Sequence, residues 1–155
     1  MVQVDIPGLG ILSIQHLVLD LNGTITLDGR LLKGVRERLA ALSGKVTIHV
    51  LTADTLGKAR KMCADLPVIL EIIGRENQVE EKSRYVKGLD GDAAALGNGR
   101  NDSGMLEKAV LGIGVLGPEG ACPKTLGSAD VVVRDINEGL DLLLRTDRLR
   151  ATLRG

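Results

Sequence analysis

Short apolar runs alternate with amphipathic helical stretches along this chain, and that alternation narrows its possible folds more than any other feature. Runs at 15–20, 45–51, 67–73, 92–97, 110–115 and 130–133 read as strands. The segments between and after them, 33–43, 55–65, 76–88, 102–109, 119–127 and 136–145, read as helices. Near-continuous apolar strands such as Pro67-Val68-Ile69-Leu70 suit a sheet covered on both faces, where every side chain is buried. Strand–helix alternation specifies βαβ units. The expected fold class is therefore α/β, a doubly wound, mostly parallel sheet with helices on both faces. The 155 residues suit a single domain spanning 1–155, with no linker-like stretch or repeat to divide it. In such sheets the chemistry gathers in loops beyond the carboxyl ends of the strands.

Two segments break the alternation. Residues 1–14 read as two extended pieces around Pro7-Gly8, an edge hairpin. Residues 24–31 alternate in polarity around Asp28-Gly29, a turn signal, and read as a small hairpin flap directly after the first central strand.

Composition removes several function classes. Lys plus Arg number 20 and Asp plus Glu number 20, so there is no basic surplus to meet the phosphates of a nucleic acid. One Tyr and no Phe or Trp leave almost nothing on which bases could stack. No run approaches a membrane span and the start carries no basic leader, so a cytoplasmic protein without membrane partners is expected. Cys63 and Cys122 lie outside any ligand-spaced cluster and read as small apolar residues. His16 and His49 fall inside strand runs, where a core or edge histidine is expected, and they lack zinc-site spacing. Gly112-Ile113-Gly114-Val115-Leu116-Gly117 has dinucleotide-fingerprint spacing, but it reads as a strand itself and Pro118 follows, which excludes that use. Arg145, Arg148, Arg150 and Arg154 solvate a terminal helix.

Four strand ends carry candidate chemistry. The first strand runs into Asp20-Leu21-Asn22-Gly23-Thr24, which puts a carboxylate at the sheet edge beside a turn whose amides can face an anion. Taken alone this is also an ordinary Asx turn. The second ends Thr52-Ala53-Asp54, either a phosphate contact at a helix entrance or a plain N-cap. Lys82, in Glu80-Glu81-Lys82-Ser83-Arg84, is either a solvated surface lysine or a point charge for phosphoryl oxygens, with Arg84 as the lesser alternative. The fourth strand opens into Gly97-Asn98-Gly99-Arg100-Asn101-Asp102, the most specific signal in the chain. Its side-chain oxygens are the donors a hard cation such as magnesium prefers.

Taken in order, these four signals resemble the signature of the haloacid dehalogenase superfamily over residues 15 to about 145. The resemblance is greatest to soluble, P-type-ATPase-like members, and residues 111–115 through 128–133 are similar to that branch as well. It implies a Rossmann-like phosphoryl-transfer domain. Asp20 would be the nucleophile that becomes an aspartyl-phosphate, with Asn22, Thr52 and Lys82 completing the catalytic set. Gly23, Thr24, Thr52, Ala53, Lys82 and Asn101 would bind the phosphoryl group, and Asp20, Asn22, Asn98 and Asp102 would hold Mg2+. No cap domain fits between the motifs, so only the 24–31 flap could cover the site, and the open site favours a homo-oligomer. The expected partner is a phosphorylated small molecule or nucleotide.

The chain departs from that signature at two positions. The superfamily's second aspartate is here Asn22, and an amide cannot exchange a proton at neutral pH. The assistance lost is typically about 10²–10⁴-fold in rate. The first acidic position of the metal loop is likewise an amide, Asn98, so magnesium is expected to bind weakly. The reading is a slow hydrolase or phosphotransferase favouring leaving groups that need no proton, with a phosphate-binding scaffold as the alternative. Asn22-Gly23 and Asn98-Gly99 are also the sequence most prone to deamidation, which would convert either amide to a carboxylate.

Overall fold

The structure is a computed structural model that describes residues 1–54 and 57–155. Its strands are β1 (Val2–Ile6), β2 (Gly10–Asp20), β3 (Thr26–Leu27), β4 (Arg30–Leu31), β5 (Thr47–Thr52), β6 (Ile69–Ile72), β7 (Asp92–Gly97), β8 (Leu111–Val115) and β9 (Val131–Val133). Its helices are α1 (Val35–Ser43), α2 (Lys58–Cys63), α3 (Gln78–Lys87), α4 (Ser103–Lys108), α5 (Pro123–Gly127), α6 (Ile136–Leu144) and α7 (Thr146–Leu153). The main sheet runs β6-β5-β2-β7-β8-β9, all parallel, with β1 added antiparallel to β2. This is the expected doubly wound architecture.

Alternation along the strands divides the core between two faces. Leu17, Leu19, Ile48, Val50 and Leu96 pack on one face against α1, α2, α6 and α7. Val18, Leu51, Ala93 and Ala95 pack on the other against Val86 of α3 and Met105 and Leu106 of α4. Chain order then fixes where a site can form. From β2 the chain moves outward to β5 and β6, then returns past β2 to β7 and continues to β8 and β9. The order reverses between β2 and β7, so the crevice opens at the carboxyl ends of those two strands.

Several expected boundaries shift. The 1–14 hairpin forms, but its second arm is the start of β2 itself, with Val2 opposite Ile14 and Ile6 opposite Gly10. The expected edge hairpin is thus an extension of the central strand. The 24–31 flap is the β3–β4 hairpin, with Asp28 and Gly29 both at positive φ (49° and 74°), as a tight two-residue turn requires. The start of the expected 55–65 helix lies outside the described residues, and α2 is described from Lys58. The helix expected from 119 begins only at Pro123, because Gly117 and Gly120 pair in a tight turn before it. No described helix is long and apolar enough to cross a membrane. Cys63 and Cys122 are both free thiols.

Candidate active site

Asp20 is the last residue of β2, where the switch in strand order leaves its carboxylate at the open edge, 8% exposed. Lys82 projects from α3 and is fully buried, so the reading of it as a surface lysine fails. Its Nζ donates to Asp20 Oδ1 and to Asp102 Oδ1, both at 2.6 Å. Arg84, on the same helix, is exposed and lines a different recess with Glu71. Burial alone would push the Lys82 ammonium down, but the two carboxylates and their hydrogen bonds outweigh it and hold it above its ordinary value. Asp102 is raised, by burial first and by the like charge of Asp20 second, with Lys82 only partly opposing. Lys82 remains charged and leaves one of its three donors free of these two bonds.

The loop after β7 is organised around Asp102. Its Oδ2 accepts the amides of Asn98 (3.0 Å) and Gly99 (2.9 Å), while Oδ1 takes Lys82. Gly97 has no side chain for a structural reason: a Cβ there would sit 2.5 Å from the Asp102 carboxyl carbon. The glycine admits the loop's own aspartate, in addition to any ligand. Asn98 is held by its Nδ2 donating to the Gly120 carbonyl (3.0 Å), and Asn101 Nδ2 donates to Gln78 Oε1 (2.6 Å).

Thr24 ties the first motif to the fourth. It is buried, and its hydroxyl lies 3.2 Å from Asp20 Oδ2 and 3.1 Å from Asn98 Oδ1. One hydroxyl proton cannot satisfy two acceptors, so one of these oxygens lacks a full donor. The two carboxylates also exceed the single ammonium by one negative charge. Both observations fit a hard cation placed among Asp20, Asn98 and the Asn22 backbone carbonyl. Asp102, with both oxygens engaged, stands behind that set. Among the described residues no cluster of three or more His, Cys, Asp or Glu side chains converges, and the carboxylates beside Lys82 are those of Asp20 and Asp102.

Thr52 ends β5, and its Oγ1 accepts the Asp54 amide (3.2 Å) and so caps no helix. The residue before α2 is Gly57, and Asp54 accepts the Ala59 amide of that helix (3.2 Å). Asp20, Asn22, Thr52, Ala53, Lys82, Asn98 and Asn101 thus line one cleft of about 520 Å³. Gly23 and Thr24, expected to bind the phosphoryl group, do not line it: both are buried next to Asn22, and the Thr24 hydroxyl contacts Asp20 and Asn98 from behind. Asp54, Arg75, Gln78 and Glu119 line it too, although the sequence reading gave them no site role. Glu119 could have been found from its turn, Gly117-Pro118-Glu119-Gly120, which leaves the same sheet edge after β8. Starting a helix at 119 concealed it.

No model of a known protein family matches the sequence. An uncharacterised protein of Methanocaldococcus jannaschii is 58% identical over 60 residues, 39% of this chain and 64% of that protein. The chain thus spans less than two thirds of that relative. A second uncharacterised protein of the same organism is 51% identical over 39 residues, 25% of this chain and 89% of that protein. Among solved structures, 3-deoxy-D-manno-octulosonate 8-phosphate phosphatase from Moraxella catarrhalis, in complex with magnesium, phosphate and KDO, superposes with a TM-score of 0.66 at 18% identity, covering 91% of this chain and 94% of that one. The cobalt-bound deoxy-D-mannose-octulosonate 8-phosphate phosphatase from Haemophilus influenzae gives 0.69 at 16% identity over 92% and 94%. A zinc-transporting PIB-type ATPase gives 0.61 at 21% identity, over 79% of this chain but 20% of that one. Strand order, uncapped cleft and these superpositions agree: this chain has the fold of the haloacid dehalogenase superfamily.

Proposed function

We propose that the chain is a magnesium-dependent phosphohydrolase or phosphotransferase working through an aspartyl-phosphate on Asp20. The observation that carries this reading is the buried Lys82 ammonium held 2.6 Å from both Asp20 and Asp102 beneath a polar cleft. A fully buried lysine between two carboxylates is costly to desolvate and is not needed to close this aliphatic core. Its use is electrostatic. It holds the Asp20 carboxylate in place through a 2.6 Å hydrogen bond, and it meets phosphoryl oxygens with its remaining donor. In the transfer step an Asp20 carboxylate oxygen bonds to phosphorus as the bond to the leaving oxygen breaks, in line. Thr52, Ala53 and Asn101 stand around the cleft to orient the group. Asp20, the Asn22 carbonyl and Asn98 would hold magnesium, which supplies charge neutralisation to the phosphoryl oxygens when bound.

Asn22 is exposed at the cleft and gives no proton, so donors with good leaving groups, such as acyl phosphates, are preferred and turnover is slow. A second recess of about 510 Å³ shares Asn22 and Asp54 with the cleft and carries Lys58 and Lys61 beside an Arg36–Asp65 ion pair, a small positive surplus. It supports a small phosphorylated molecule with further anionic character. The amides at 22 and 98 favour one other reading, a phosphate-binding protein without turnover. Incubation of wild type and Asp20→Asn with acetyl phosphate and magnesium, followed by intact mass, separates them. A phosphoryl adduct present in wild type and absent in the variant is expected. No adduct on folded wild-type protein from any donor would leave the binding reading.

A further inference from the structure

We infer that Glu119 is the general base that hydrolyses the phosphoenzyme, a catalytic carboxylate supplied from the turn after β8 in place of the amide at position 22. The inference rests on the reading of Asp20 as nucleophile. An acyl phosphate on Asp20 is released by water only if something takes the water's proton. The ionisable side chains lining the cleft are Asp20, Asp54, Arg75, Lys82 and Glu119. Asp20 is the nucleophile, and Lys82 is locked between carboxylates. Asp54 accepts the Ala59 amide, and Arg75 is a guanidinium that cannot act as a base. Asp102 lies deeper, with both oxygens engaged. Glu119 is the cleft carboxylate that makes no hydrogen bond or ion pair among the described residues.

Backbone geometry brings it to the right place. Gly117 packs so closely on the first motif that a Cβ there would lie 3.2 Å from the Gly23 carbonyl oxygen. The turn therefore rests on the Asn22-Gly23-Thr24 loop. A Cβ on Gly23 would fall 2.1 Å from Glu119 Oε2 and 3.3 Å from Asn98 Nδ2. The carboxylate thus occupies the space over Gly23, next to Asn22, and Gly23 at φ 76° leaves that space open. The Asn98 nitrogen near that space donates to the Gly120 carbonyl, while the oxygen of the same amide takes the Thr24 hydroxyl. Glu119 is exposed, so solvent reaches its carboxylate. In the step, the water oxygen bonds to phosphorus as the Asp20–phosphorus bond breaks. Asp20 leaves as carboxylate, the water proton passes to Glu119, and inorganic phosphate is released. The exposed Glu119 then loses the proton to solvent.

The test loads wild type, Glu119→Gln, Glu119→Asp and Asp20→Asn with acetyl phosphate over a magnesium series, removes the donor, and follows phosphoenzyme by mass. Glu119→Gln should form phosphoenzyme at a near-wild-type rate and magnesium requirement, while its decay slows by about 10²-fold or more. Glu119→Asp should recover part of the decay rate. Unchanged decay in Glu119→Gln overturns the assignment. A raised magnesium requirement with slower formation also overturns it and makes Glu119 a cation ligand. Absence of phosphoenzyme in wild type overturns the reading of Asp20, and this assignment with it.

Discussion

At the level of single residues the Lys82 pair of ion bridges dominates, because it is wholly desolvated and one substitution leaves two carboxylates facing each other. Lys82→Met should cost about 3–5 kcal/mol in a urea unfolding titration at neutral pH, the usual consequence of breaking a buried pair. It should also abolish the Asp20 adduct. Removing all three charges by Asp20→Asn, Lys82→Met and Asp102→Asn should recover much of the stability without recovering phosphoryl transfer. Asn22→Asp works in the opposite direction. A carboxylate two residues after Asp20 restores a proton carrier at the cleft, and hydrolysis of a simple phosphomonoester should rise by about 10²-fold or more in a steady-state assay. No change in that rate would show that proton transfer at position 22 does not limit turnover. These residues were partly legible. Asp20, Thr52 and the 97–102 loop stood out by position at strand ends. Lys82 stood out only through the family resemblance, since its neighbours Glu80, Glu81 and Arg84 are those of a solvated helix face, and its burial depends on which way α3 turns.

At the level of elements, α3 carries Lys82 to the site only because α4 lies hard against it. Gly104, in the first turn of α4, makes the contact: a Cβ there would meet the Val79 carbonyl oxygen at 2.8 Å and Ser83 Cβ at 3.2 Å. The nearest obstacle is backbone, which cannot rotate aside. Gly104→Ala should therefore cost about 1–3 kcal/mol by overpacking, against the small gain that alanine brings to a free helix. By pushing α3 outward it should slow adduct formation on Asp20 as well. A thermal melt and the acetyl phosphate assay on one preparation check both effects. The alanine run of β7 has a matching role, since Ala93 and Ala95 let these helices settle close to the sheet. Element positions followed from hydrophobic periodicity. The late start of α5 did not, because the Gly117–Gly120 turn is fixed by its contact with Gly23 on a distant part of the chain.

At the level of the whole molecule, a polar chain links three elements away from the cleft, toward the amino ends of the central strands. His16 Nε2 lies 3.2 Å from the Asp90 carbonyl and must donate to it. Its Nδ1 then accepts from His49 Nε2 at 3.0 Å, and His49 Nδ1 accepts from the Tyr85 hydroxyl at 2.9 Å. Every bond is satisfied with both imidazoles neutral, joining β2, β5 and α3. Burial, and then the nearby His16, push His49 down to about 4 from an ordinary 6.5. The unfolded chain thus takes up a proton near pH 6.5 that the folded one refuses until about 4. Stability is full above that upper value and is lost as pH falls through the interval, by about 1–3 kcal/mol from this site. Urea midpoints between about pH 4.5 and 7 should show this loss in wild type and a smaller one in His49→Gln. Hydrophobic period and strand–helix order are local properties of a chain, so the parallel doubly wound sheet and the motif-bearing strand ends were readable from residue order alone. The amides at positions 22 and 98 were readable in the same way. Folding in three dimensions settled the rest: Lys82 is buried between Asp20 and Asp102, two strand histidines and the lone tyrosine form one chain, and Glu119 stands over Gly23. Each of these joins residues from 20 to 96 positions apart, and such encounters depend on how helices and turns dock on the sheet.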